Sequence, residues 1–183
     1  MKDGFIKVAA AAPELRVADP KFNAEKIVEC VEKARDEGVK LLAFPELAIT
    51  GATCGHLYYQ RYLLDAALEG LKRIAEATRG DDMLVVVGLP LRARGAVYSA
   101  AAVVSGGEVL GFTARRNVRG TVFSSLVPGE SIEVDLAFAD YCCLALLRRR
   151  HGRACRRRPV RGGQASAGAA HGCALRCGCD GRL

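Results

Sequence analysis

Apolar and polar positions change their period along the chain, and the period marks the elements. A short apolar run over residues 5–12, interrupted only by Lys7, closes at Pro13 and predicts a buried first strand. Beyond a loop over 15–20, Ile27, Val28, Val31 and Ala34 recur at helical spacing, with Asn23 as a candidate N-cap. Glu37-Gly38 ends that helix, glycine being suited to the left-handed cap. Residues 39–44 are apolar again and predict a second strand; strand, helix and strand with short links make a parallel crossover unit. A second helix is predicted over 61–78, with Leu64, Leu68, Leu71 and Ala75 on one face, broken by Gly80-Asp81-Asp82. Residues 83–88 then read as a buried strand closed by Leu89-Pro90. Two β-prone runs, 96–104 and 108–112, flank Ser105-Gly106-Gly107 and predict a hairpin. One more strand is expected over 132–138. Crossing helices followed by hairpins suggest an α/β sandwich with a mixed sheet.

The second strand carries the first chemical signal. Leu41-Leu42-Ala43-Phe44 runs into Pro45, which has no N–H for a ladder, and Glu46 follows at the strand's carboxyl end. Open α/β sheets place their chemistry at such ends. A carboxylate among apolar residues loses water, which favours a general base. The same position also suits a glutamate that caps the next turn or pairs with a nearby cation.

Length and charge then divide the chain. Its 183 residues suffice for one domain with a sizeable core. No apolar run is long enough to span a membrane, and the N-terminal residues lack a signal-peptide pattern, so a cytoplasmic location is expected. The net charge of +7 is uneven: residues 1–141 carry −2, whereas residues 142–183 carry +9 with a single acid, Asp180. Six of the eight cysteines also fall after residue 141. Two compositions meet near Tyr141, and the first alone reads as globular.

With these elements in place, several stretches taken together resemble the nitrilase (carbon–nitrogen hydrolase) superfamily. They are Phe5-Ile6-Lys7-Val8-Ala9-Ala10-Ala11, Phe44-Pro45-Glu46-Leu47, Ile49-Thr50-Gly51-Ala52-Thr53-Cys54-Gly55 and Val85-Val86-Val87-Gly88-Leu89-Pro90, with the hairpin opened by Tyr98. Within that superfamily they are similar to the glutamine-amidase domains of glutamine-dependent NAD synthetases. The register is plain over 1–115 and fades by about 140. The resemblance implies a four-layer α-β-β-α sandwich, here incomplete on its C-terminal side. It also implies a Glu-Lys-Cys triad: a cysteine thiolate attacks the amide carbon, the glutamate carries the proton, and the lysine stabilises the oxyanion. Glutamine or a similar small amide is then the substrate, and the intact family forms homo-oligomers. The amidase portion needs no cofactor. ATP and deamido-NAD belong to a synthetase domain, whose glycine-rich pyrophosphatase loop does not occur in these residues.

Matched position by position, Glu46 takes the general-base place. At the lysine place stands Arg115, followed by Arg116; the last lysine of the chain is Lys72. Arginine keeps the charge but is planar and bulkier, so its equivalence is in doubt. The family's Pro-Asn-Tyr is replaced by Val118-Arg119-Gly120-Thr121. The nucleophile is not identifiable. Near its expected place stand Cys142 and Cys143, but no acid follows them, and buried strand cysteines are the plainer reading. Cys54, His56, Asp65 and Glu69 read as a structural thiol, a solvated histidine and two exposed helix acids. Gly106-Gly107 reads as a turn, not a phosphate loop, because no helix start follows it.

Residues 142–183 admit three readings. An arginine-rich tail for nucleic acid has the charge but no aromatic residue to stack on bases, so nucleic acid is not expected as a partner. A metal site from His171, Cys173, Cys177 and Cys179 has irregular spacing and no second pair, so no metal is expected. The third is out-of-frame translation of GC-rich coding sequence. One encoding of Leu147-Arg148-Arg149 and the next base, CTG CGA CGA C, reads Cys-Asp-Asp one base over, as the family would supply there. On this reading 142–183 is a poorly ordered tail, and the chain is a partial amidase without activity of its own. A free-standing amidase acting on another small amide, and a non-catalytic protein with a basic tail, are the alternatives.

Overall fold

The computed structural model describes residues 4–115, 118, 120, 122–126, 131–136 and 138–145, with 133, 135 and 139–145 by backbone alone. Its centre is one mixed seven-stranded sheet. The strands are β1 (Val8–Ala10), β2 (Leu41–Ala43), β3 (Leu84–Ala93), β4 (Ala96–Ser105), β5 (Glu108–Ala114), β6 (Ser131–Leu136) and β7 (Ala139–Ala145). They lie in the order β1-β2-β3-β4-β5-β7-β6. β1, β2 and β3 are mutually parallel, β4 is antiparallel to both its neighbours, and β5 pairs with β7 in parallel. It follows that β2, β5 and β7 all point the same way and end at one edge of the sheet.

Two helices, α1 (Pro20–Asp36) and α2 (Arg61–Ala77), cover one face. Alternation sets which residues meet them. Leu42, Val85, Val87, Leu89, Leu91, Ala100, Ala102, Val104 and Phe112 share a face by register, and all are buried with Ile27, Val31, Ala67, Leu71 and Ile74 of the helices. The helical layer and this sheet correspond to two of the four expected layers. On the other face Ala43, Val86, Ala101 and Val103 are small, apolar and half-buried.

Several elements depart from the sequence pattern. The first strand is three residues at the sheet edge, and Phe5, Ile6 and Val8 are exposed instead of buried. Asn23 is not the N-cap of α1. Asp19 accepts from the N–H of Phe22 and caps the helix, with Pro20 opening it. Asn23 sits inside the first turns, fully buried. Its amide donates to the carbonyls of Arg16 and Ile49 and accepts from the N–H of Arg16, so it ties the loop before α1 and the turn after Glu46 to the helix.

Pro90 does not close β3, which continues to Ala93. The carbonyls of Val86 and Gly88 face the β2 side, accepting from Phe44 and Ile49, and Pro90 shares their phase. Its missing N–H therefore removes no bond to β4. A second tight turn at Arg94-Gly95, both at positive φ, joins β3 to β4 as Gly106-Gly107 joins β4 to β5. The apolar pattern gave β7 no bounds, although Cys142 and Cys143 read as strand residues; its backbone runs to Ala145, past the change of composition near Tyr141. The remaining residues of the 142–183 segment, with its His171, Cys173, Cys177 and Cys179, lie outside the described residues, as does Arg116. None of the described helices is long and apolar enough to cross a membrane.

Candidate active site

Glu46 leaves the end of β2 at the sheet edge. The ladder persists one residue beyond the strand, where Phe44 donates to the carbonyl of Val86. After Glu46 the chain turns sharply. Leu47 has φ +55°, a region a branched side chain rarely occupies, and its carbonyl accepts from Thr50 and Gly51. Burial of Leu47, Ala48 and Ile49 offsets that strain and pins the turn. The loop rests on Gly88 of β3, where a β-carbon would lie 2.4 Å from the Leu47 nitrogen and 2.6 Å from the Pro45 carbonyl oxygen. Only glycine permits that approach.

Arg115 leaves the end of β5, and the structure brings it to Glu46. One guanidinium nitrogen, Nη1, lies 2.9 Å from each carboxylate oxygen. The two positions matched through the resemblance, 69 residues apart, thus form a direct ion pair. The pair is not buried: the side chains are 56% and 43% exposed for Arg115 and Glu46. This corrects the expectation of a carboxylate enclosed by apolar residues. Screening by water keeps such a pair to about 1 kcal/mol or less of stability.

The third partner was missed in the sequence. Ser99, in β4 and 3% exposed, donates its hydroxyl to Glu46 Oε1 at 2.6 Å. Its signal was a lone serine inside an Ala- and Val-rich strand; Gly88, a glycine inside the "VVVG" run, was the other. Among the described residues Oε1 accepts from both Ser99 and Arg115, and Oε2 from Arg115 alone. Oε2 therefore keeps a lone pair for a further proton.

Cys142 and Cys143 lie within β7, where Leu144 is level with Phe112 and Ala145 with Thr113 of β5. Their backbone thus sits inside the strand, behind the edge where Glu46 and Arg115 meet. Cys54 is buried, its thiol donating to the carbonyls of Thr50 and Gly51 in a small cluster with Leu47, Tyr58 and Leu63. Its hydrogen bonds account for it structurally. Burial, followed by the neighbouring Cys54, pushes the Tyr58 phenol well above its ordinary pKa, and its hydroxyl donates to the Gly51 carbonyl. His56 is exposed and stacks on Tyr59. Asp65 and Glu69 are exposed on α2, Asp65 facing Arg61 at 3.7 Å. A cleft of about 320 Å³ lies between α2 and β3, lined by Arg61, Leu64, Asp65, Leu68, Pro90 and Arg92, and does not include Glu46.

Comparison with known proteins bears on the family and the fold. The carbon–nitrogen hydrolase family matches residues 7–164. The glutamine-dependent NAD(+) synthetase of Mycobacterium bovis is 36% identical over 110 residues, 59% of this chain and 16% of that protein. The synthetase of Xylella fastidiosa is 37% identical over 106 residues, 57% of this chain and 19% of that protein. Among solved structures, a glutamine-dependent NAD(+) synthetase from Cytophaga hutchinsonii superposes with a TM-score of 0.70 at 25% identity, covering 76% of this chain and 25% of that one. An amidase from Nesterenkonia sp. shares the fold, with a TM-score of 0.58 at 23% identity over 79% of this chain and 56% of that one. The chain spans less than a fifth of the length of the Mycobacterium bovis and Xylella fastidiosa synthetases.

Proposed function

The chain belongs to the carbon–nitrogen hydrolase family, and from that premise we propose that it is the amidase portion of a glutamine-dependent NAD synthetase, inactive as it stands. In this reading Glu46 holds the general-base place and Arg115 the place of the oxyanion-stabilising cation. The observation that carries it is their meeting at one sheet edge, in a chain 36% identical to such a synthetase over 110 residues.

The chemistry of glutamine hydrolysis needs three groups at that edge. A thiol near its ordinary pKa of about 8.5 is mostly protonated at neutral pH, so its attack on the amide carbon requires a base alongside. Glu46, held by Ser99 and open at Oε2, suits that task. The tetrahedral oxygen that takes up the amide's electron pair needs a fixed donor. Arg115 carries the charge, but its Nη1 is engaged with both Glu46 oxygens, and its planar fork fits a compact oxyanion less well than an ammonium. The third group, a strand-end thiol followed by an acid, has no counterpart legible near Cys142 and Cys143. Cys142 and Cys143 lie within β7, and neither is followed by an acid. Ammonia made by an intact domain of this kind would serve an ATP-using partner domain that amidates deamido-NAD.

The change of composition near Tyr141 supports a reading-frame shift as the origin of the missing group. Sequencing codons 138–150 tests this: an insertion or deletion relative to related genes is expected, and one intact frame overturns it. For the function itself, the test is ammonia release by the purified chain from glutamine, asparagine and acetamide. No release above the protein-free blank is expected from any of them. Glu46-dependent release from glutamine would overturn the inactivity, and release from acetamide alone would favour a free-standing amidase.

A further inference from the structure

We propose that Ser99 is a positioning residue that seats Glu46 against Arg115, an inference that deepens the amidase reading and rests on it. Ser99 meets both members of the pair by different groups. Its buried hydroxyl donates to Glu46 Oε1 at 2.6 Å, and its backbone carbonyl accepts the N–H of Arg115 at 2.8 Å. A single position of β4 therefore registers the loop after β2 and the chain leaving β5.

The exposures decide which contact orders the carboxylate. Arg115 and Glu46 are each about half exposed, so the guanidinium on its long, flexible stem competes with water and fixes little by itself. Ser99 is anchored in a strand flanked on both sides, and its hydroxyl has one short side-chain torsion to restrain. A short O–H···O⁻ bond from such a donor is charge-assisted and directional. It occupies Oε1 and leaves Oε2 turned to Arg115 with a lone pair free. A serine hydroxyl in a strand has nearby carbonyls to satisfy it. Here it reaches instead to a carboxylate 53 residues away in sequence.

The test compares Ser99→Thr with Ser99→Val, which match in shape and differ in the hydroxyl. Phenylglyoxal modifies free guanidinium groups, and the rate at each arginine of the full chain is read by peptide mass mapping, with Arg61 and Arg73 as internal references. Ser99→Thr should keep the parent rate at Arg115. Ser99→Val should raise it about threefold relative to the references, as should Glu46→Gln. Equal rates at Arg115 in the Thr and Val variants, at whatever level, overturn the proposal. The assay involves no glutamine and no turnover, so its failure is distinct from failure of the amidase reading, which the ammonia assay judges.

Discussion

A β-carbon on Gly88 would lie 2.8 Å from the Cα of Glu46, so β3 and the Glu46 loop touch backbone to backbone. The nearest atoms all belong to main chain, which cannot step aside as a flexible side chain would. Gly88→Ala should therefore lower stability by roughly 1–3 kcal/mol or somewhat more, as overpacking against backbone does. Urea unfolding measures the loss. A loss under about 0.5 kcal/mol, the size of an ordinary surface change, would mean that the loop does not rest on the strand.

Asn23 makes three bonds from a fully buried position, joining the loop before α1 to Ile49 in the turn after Glu46. Asn23→Ala removes the partner of the Arg16 N–H and of the buried Ile49 carbonyl, while the Arg16 carbonyl keeps the N–H of Asp19. The expected cost is about 2–3 kcal/mol. Asn23→Asp should fare no better, because a carboxylate cannot donate to the carbonyls of Arg16 and Ile49. Recovery of full stability in that variant would show that the amide's donors are idle.

Tyr58 sets an alkaline limit on stability. Its phenol is held protonated in the fold, chiefly by burial, while in the unfolded chain it ionises near pH 10. Its contribution is thus complete below about pH 10 and declines as pH rises above that value toward the higher folded one. Tyr58→Phe removes the decline. Unfolding measured from about pH 9 to 11 should show the parent losing stability faster than the variant, by up to about 1.4 kcal/mol per pH unit. Parallel curves would contradict the buried phenol.

What the sequence disclosed and concealed follows from the range of each signal. Helical spacing and the Gly106-Gly107 turn are local, and α1, α2 and the second hairpin follow from them. Glu46 was legible because a proline stops a strand just before it. The bounds of β1 and β3 were not, because they depend on neighbours: Pro90 is tolerated only where β3 has no bond to give on the β2 side. The Arg115–Glu46 pair rested on family resemblance, since nothing local joins residues 69 positions apart. Ser99 was concealed for the same reason. A serine in an alanine-rich strand reads as a filler until register places it beneath the carboxylate. Asn23 misled because cap propensity is weighed one residue at a time, whereas Asp19, followed by Pro20, begins the helix four residues earlier.

On the proposed reading, these residues form an amidase edge that has its base, Glu46, but lacks its thiol. The most direct test is ammonia release from glutamine by two purified chains. One is the chain as it stands. The other carries Arg115→Lys and the sequence after codon 141 read one base over. No release is expected from the first, and from the second a release that Glu46→Gln abolishes. Release from the first chain, or none from a folded second chain, would contradict that reading.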